Sequence, residues 1–135
     1  MADGTTNFSW DDPLLLDDQL TEEERMVRDM ARRFGEDRLM PVILEWNRQE
    51  EFDRELMKEF GELGFLGGVL EGYGCPGLGH VAYGLLCREL ERIDTAFRSA
   101  VGVQSGLAMG AIHGYGSEEQ KQRFLPKMAT GELIG

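Results

Sequence analysis

Arg98 is the last formal charge before the uncharged run Ser99 to Gly116, with His113 counted as neutral. A helix capped by Asp94 or Thr95 would place Arg98 close to its first turn. Exposed amides and the macrodipole make a helix start attractive to anions, and a guanidinium there adds a bidentate partner for a carboxylate. Together with Ser99, Arg98 forms a candidate carboxylate pocket at the edge of an apolar interior. The same spacing suits a structural ion pair with Glu91 or Asp94, which is the commoner arrangement for such an arginine.

Other chemistry-bearing residues point to scaffold. His80 and His113 have no partners at metal-ligand or triad spacing. The acidic runs Asp17-Asp18 and Glu22 to Glu24 read as solvated helix-start charges rather than paired catalytic carboxylates. Cys75 and Cys87 belong to no CxxC pair and no Cys/His cluster, so they read as two free thiols in a reducing compartment. Gly72, Gly74, Gly77 and Gly79 follow no strand and do not form GxGxxG, which argues against a dinucleotide fingerprint.

The elements that must position these residues are helices. Thr21-Glu-Glu-Glu24 is a capping box that opens a first helix, with Val27, Met30, Ala31 and Phe34 as its apolar stripe and Glu23, Arg28, Arg32 and Glu36 opposite. Pro41 should bend or restart it near Met40. Asp53 can cap a second helix that buries Leu56, Met57, Phe60 and Leu63 and closes at Gly64. Residues 64–79 hold seven glycines and Pro76, the composition of a loop.

A third helix, His80 to Ile93, sets Ala82, Leu86, Leu90 and Ile93 inward, with Arg88, Glu89 and Arg92 on its other faces. The uncharged run is the fourth. Its small residues (Ala100, Gly102, Gly106, Ala108, Gly110, Ala111) weaken a helix and call for compensation by tight helix packing or close approach of a flat ligand. Ser117-Glu-Glu-Gln120 opens a fifth, with Phe124, Leu125 and Met128 inward and a kink at Pro126. The expected fold class is all-α, a bundle of about five helices over residues 1–135, preceded by an extended apolar lead-in at 1–20.

A net charge of -11 over 135 residues disfavours nucleic acid and anionic bilayers as partners. The uncharged run is too interrupted by glycines, Gln104 and His113 for insertion into a membrane. Met1 to Asn7 lack the basic and apolar regions of a secretory signal, so a bacterial cytoplasmic protein, or a processed one of the mitochondrial matrix, is expected.

Several segments resemble the N-terminal region of the acyl-CoA dehydrogenases, most closely the glutaryl-CoA dehydrogenase branch. They are Phe8-Ser-Trp10-Asp-Asp-Pro13-Leu-Leu-Leu16, Glu71-Gly-Tyr-Gly-Cys75, Val81-Ala-Tyr-Gly-Leu-Leu86, Arg88-Glu-Leu-Glu-Arg-Ile-Asp94, Phe97-Arg98-Ser99-Ala100, Val103-Gln104-Ser105 and Tyr115-Gly-Ser-Glu-Glu-Gln120. Leu125-Pro126 and Gly131-Glu132-Leu133 are shared more widely in the superfamily. The resemblance implies an N-terminal helical domain without the family's middle β domain and C-terminal bundle. In the complete enzyme it implies FAD, an acyl-CoA substrate, electron-transfer flavoprotein as acceptor and a homo-tetramer.

The family's catalytic base, a glutamate, belongs to the C-terminal part, so no catalytic residue is expected in this fragment and the fragment alone is expected to be inactive. The glutaryl branch oxidises glutaryl-CoA and decarboxylates the product to crotonyl-CoA. By resemblance, Arg98 holds the distal carboxylate of glutaryl-CoA, Ser99 lines the same pocket and Glu91 belongs to its polar network. Gly102 departs from the pattern, because many members carry serine there; another dicarboxylyl or short-chain acyl-CoA therefore stays open. So does a stand-alone helical interaction module, which a stop codon after Gly135 would favour.

Overall fold

In a computed structural model of the chain, described for Trp10 and residues 12–135, both capping boxes form. The Thr21 hydroxyl accepts from the Glu24 amide at 3.2 Å while the Glu24 carboxylate accepts from the Thr21 amide at 2.8 Å. Ser117 and Gln120 repeat the arrangement. The described elements are α1 (Glu22–Phe34), α2 (Met40–Gln49), α3 (Leu56–Glu62), α4 (His80–Ile93), α5 (Thr95–Gly102), α6 (Gly110–Tyr115) and α7 (Glu118–Ala129). Wide π-type turns, Gly35–Leu39 and Val103–Met109, join α1 to α2 and α5 to α6 without a break. The described residues therefore make five helical rods, 22–49, 56–62, 80–93, 95–115 and 118–129, and no strand.

Pro41 lies just after the first wide turn, at the start of α2, where its missing amide costs least. The second wide turn has no counterpart in the sequence reading. The stripe on α1 packs on α4, and around them Phe34, Phe60 and Phe65 meet with ring centroids 5.8 to 6.0 Å apart. Trp46 meets Phe97 edge-on at 6.2 Å, tying α2 to α5. Leu39, Leu56, Leu86, Leu90, Val101 and Leu125 are among the other side chains buried in the core. Each buried side chain of this size contributes about 1.5–3 kcal/mol through removal from water.

Two expectations are corrected. The lead-in is not extended over its described part: the Asp12 carboxylate accepts from the amides of Leu16 and Asp17, both at 2.8 Å, and curls the chain into turns ahead of a 3-10 turn, Asp17–Gln19. Local amides win over surface packing, and Leu14, Leu15 and Leu16 stay exposed. Phe8, Ser9 and Asp11 of the resembling segment, and the stretch Met1 to Asn7, lie outside the described residues. Glu89, placed away from the apolar face of α4, is buried with its side chain 1% exposed. Arg32, Arg88 and Arg92 surround it, and their charges permit the burial.

The small residues of the fourth rod divide: Ala100 and Ala108 pack against the core, whereas a Cβ added at Gly102, Gly106 or Gly114 would meet nothing within 4 Å among the described residues. Close backbone approach occurs between α3 and the segment after α7. A Cβ on Gly61 would stand 2.4 Å from the Thr130 backbone, and one on Gly131 would stand 2.1 Å from the Met57 carbonyl oxygen. Gly131 also holds φ +72, a conformation that side chains rarely adopt. Gly131→Ala is therefore expected to cost about 2–4 kcal/mol of unfolding free energy. Urea denaturation checks it; an unchanged midpoint and slope would show that the α3 contact yields.

No helix among the described residues is long and apolar enough to cross a membrane. No group of three or more His, Cys, Asp or Glu side chains among them is placed to hold a metal ion.

Candidate functional site

A single extended residue, Asp94, turns the chain from α4 into α5, and its carboxylate accepts from the Ala96 amide at 2.8 Å. The cap puts Arg98 in the first turn of α5, where it can lean back over the last turn of α4. Arg98 Nε donates to Glu91 Oε2, while the Thr95 hydroxyl donates to Glu91 Oε1 at 2.7 Å. Of the two partners left open by spacing, Glu91 is the one chosen. Asp94 is engaged instead by its own helix start and, at 3.5 Å, by Asn47.

The side chains of Arg98 and Glu91 are 40% and 43% exposed, so the pair stands at the surface of this chain. Hydrogen bonds from Arg98 and Thr95 hold the Glu91 carboxyl below its usual range, and Glu91 in turn pushes Arg98 upward. Both stay charged at neutral pH. The pair engages Nε, and a guanidinium fork has two further nitrogens with which to meet a second carboxylate.

Tyr83 and Cys87 extend this patch along α4, at steps of four residues before Glu91. Burial pushes the Tyr83 hydroxyl up to about 12, with Cys87 adding to the rise while Ser105 and Arg98 oppose it. Burial likewise pushes the Cys87 thiol up, against the pull of Tyr83 and Arg98. Tyr83 is thus a neutral hydroxyl and Cys87 a neutral thiol within the electrostatic reach of Arg98. From sequence Cys87 was read only as a free thiol and Tyr83 only as part of a resembling string, although the spacing of Tyr83, Cys87 and Glu91 along one helical face was there to be read.

Ser99, one residue further, is rotated about a quarter turn around α5 and faces elsewhere. It lines an open groove of about 430 Å³ together with Phe52, Met57, Ala100, Val103 and Ile134. Among the described residues Arg54 is the one charged side chain lining that groove, and Arg98 does not line it. The structure therefore brings Arg98 and Glu91 together and sets Ser99 on an adjoining apolar face. Gly102 leaves open space beside them.

His113 and Tyr73 hold the glycine-rich loop down rather than forming a reactive pair. The His113 ring lies edge-on to Tyr73 at 5.9 Å, with Nε2 3.1 Å from the Glu71 carbonyl oxygen, and the Tyr73 hydroxyl donates to Glu118 at 2.9 Å. His80 is exposed at the start of α4. The cysteines are unpaired with each other.

Comparison with known proteins places the chain as a whole. The family model described as "Acyl-CoA dehydrogenase, N-terminal domain" matches residues 21–132. A glutaryl-CoA dehydrogenase from Mycobacterium smegmatis, solved in complex with FADH2, is 48% identical, with a TM-score of 0.87 over 88% of this chain and 31% of that one. Butyryl-CoA dehydrogenase from Megasphaera elsdenii is 29% identical, with a TM-score of 0.78 over 86% of this chain and 31% of its own. The mitochondrial isovaleryl-CoA dehydrogenase of Pongo abelii is 36% identical over 119 residues, which are 86% of this chain and 28% of that protein. The chain thus spans less than a third of each of these relatives. With the family match running from the first capping box to the turn after α7, the chain belongs to the acyl-CoA dehydrogenase family, as its N-terminal domain.

Proposed function

We propose that this domain serves an FAD-dependent dehydrogenase of short acyl-CoA thioesters, and that glutaryl-CoA is its substrate. The observation that carries the substrate choice is Arg98, held by Glu91 in the first turn of α5 with part of its fork turned outward. A monocarboxylic acyl chain has no use for that cation; the distal carboxylate of a dicarboxylyl chain does. Greater identity to the Mycobacterium smegmatis glutaryl-CoA enzyme than to the butyryl-CoA and isovaleryl-CoA enzymes supports the choice. Ser99 and the apolar groove beside it suit an acyl group, and Glu91 keeps the guanidinium oriented. Another dicarboxylyl or short-chain acyl-CoA is the second reading, since Gly102 stands where many members of the glutaryl branch carry serine and leaves open space there.

FAD, when bound, accepts the hydride from the acyl β-carbon. The groove on this chain does not form its site: the lining is apolar and Arg54 is its one cation, whereas a dinucleotide diphosphate needs converging amides and cations. Purified residues 1–135 are therefore expected to be colourless. Stoichiometric flavin absorbance after gel filtration would contradict that. Electron-transfer flavoprotein as acceptor and a homo-tetramer belong to the same proposal.

The test uses the reading frame that contains this chain, expressed whole. Rates with glutaryl-CoA, butyryl-CoA and isovaleryl-CoA are compared through an artificial electron acceptor, with carbon dioxide release followed for the first. Preference for glutaryl-CoA with carbon dioxide release supports the proposal, and preference for either monocarboxylic substrate rejects it.

A further inference from the structure

Gln104 is 1% exposed, a buried carboxamide at the start of the wide turn Val103–Met109. Its Nε2 donates to the carbonyl oxygens of Leu133 at 2.8 Å and Met128 at 3.2 Å, and its Oε1 accepts from the Gly135 amide at 2.9 Å. One side chain thus joins three backbone groups of the stretch from the end of α7 to Gly135. Beyond Gly131 that backbone is not helical, so its polar groups need partners from elsewhere. Ile134 and Gly135 line the apolar groove together with Ser99, Ala100, Val103 and Gln104 itself.

We infer that Gln104 is a positioning residue, which clamps the 130–135 segment in place as one wall of the groove that carries Ser99. Among side chains only a carboxamide of this length presents two donors and an acceptor at its tip. Glutamate has no donor when ionised, leucine has neither function, and asparagine is one methylene short. The neighbouring Ser105 accepts from the Gly67 amide at 2.9 Å, so consecutive residues of one wide turn hold two separate non-helical segments. The clamp itself does not depend on the acyl-CoA reading, which bears only on what fills the groove.

Amide hydrogen exchange, followed by nuclear magnetic resonance on the 135-residue chain, tests the inference for wild type, Gln104→Leu and Gln104→Glu. In wild type the Gly135 amide should be protected. In Gln104→Leu its exchange should accelerate on the order of tenfold, while amides of α1 and α4 keep their protection. Gln104→Glu gives a signature that a mere packing change does not. At neutral pH its carboxylate faces two carbonyl oxygens and the clamp opens; on acidification the protonated acid donates to one of them and again accepts from Gly135, so protection, corrected for intrinsic rates, returns. The leucine variant should show no such recovery. A Gly135 amide equally fast in wild type and Gln104→Leu, or a Gln104→Glu variant whose protection ignores pH, overturns the inference. Should the leucine variant fail to fold, wild-type protection and the glutamate titration decide alone.

Discussion

Arg98→Met in the complete enzyme is expected to lower kcat/KM for glutaryl-CoA on the order of a hundredfold and to change the value for butyryl-CoA only a few-fold. The asymmetry follows from chemistry at one atom group. A distal carboxylate leaving water for a partly apolar pocket needs a fixed cation, and methionine keeps the unbranched apolar stem while removing the charge. A butyryl chain places only a methyl group there. Arg98→Lys should recover part of the loss, since the charge remains and the fork is gone. In this chain the Arg98–Glu91 pair is a surface pair, and such pairs add little to stability, so the melting temperature should move little. Equal losses for both substrates together with a lower melting temperature would reassign Arg98 to the scaffold.

Glu89→Ala should destabilise the domain by about 2–3 kcal/mol. The carboxylate is buried, and it accepts from Arg32 at 3.1 and 3.3 Å and from Arg88 at 2.9 and 3.2 Å, with Arg92 3.2 Å away. Removing one partner of a buried ion pair costs roughly 3–5 kcal/mol when the other is stranded. Here the three arginines are about half exposed and regain water, which places the expectation below that range. The network fastens α1 to α4, with Arg92 reaching on to Glu36.

Burial alone would push the Glu89 carboxyl up, but hydrogen bonds and charges from Arg32 and Arg88 outweigh it and hold it below its ordinary value of 4.5. A folded-state pKa below the unfolded one contributes stability that is fully present above 4.5 and is lost as pH falls through the folded value. Wild type should therefore exceed Glu89→Gln in melting temperature at neutral pH, and the gap should narrow on acidification below about 4.5. A gap that stays constant down to pH 3 would remove the carboxylate charge from the account.

Much of the fold was legible because it rests on local rules. A capping box closes within three residues, so Thr21 with Glu24 and Ser117 with Gln120 announce their helices, and α4 runs from His80 to Ile93 as its apolar spacing predicts. The loop at 64–79 follows from glycines, five of which, Gly64, Gly67, Gly72, Gly74 and Gly77, hold positive φ. Recognition of the family rested on strings such as Phe97-Arg98-Ser99, which are sequence by nature.

What escaped was decided by partners far along the chain. Glu89 looks like a solvated charge until Arg32, 57 residues earlier, is folded against it and the guanidinium offsets the loss of water. Gln104 interrupts an uncharged run in sequence, yet in the fold it is bonded to residues 24 to 31 positions later. The wide turn that presents it leaves no composition mark. At the candidate site, helix spacing offered Arg98 both Glu91 and Asp94. Only the extended turn at Asp94, which spends that carboxylate on the α5 amides, hands Arg98 to Glu91 and leaves Ser99 facing the groove. Periodicity reports which residues can share a face; desolvation and competition for each hydrogen-bonding group, which need the tertiary structure, settle which of them meet.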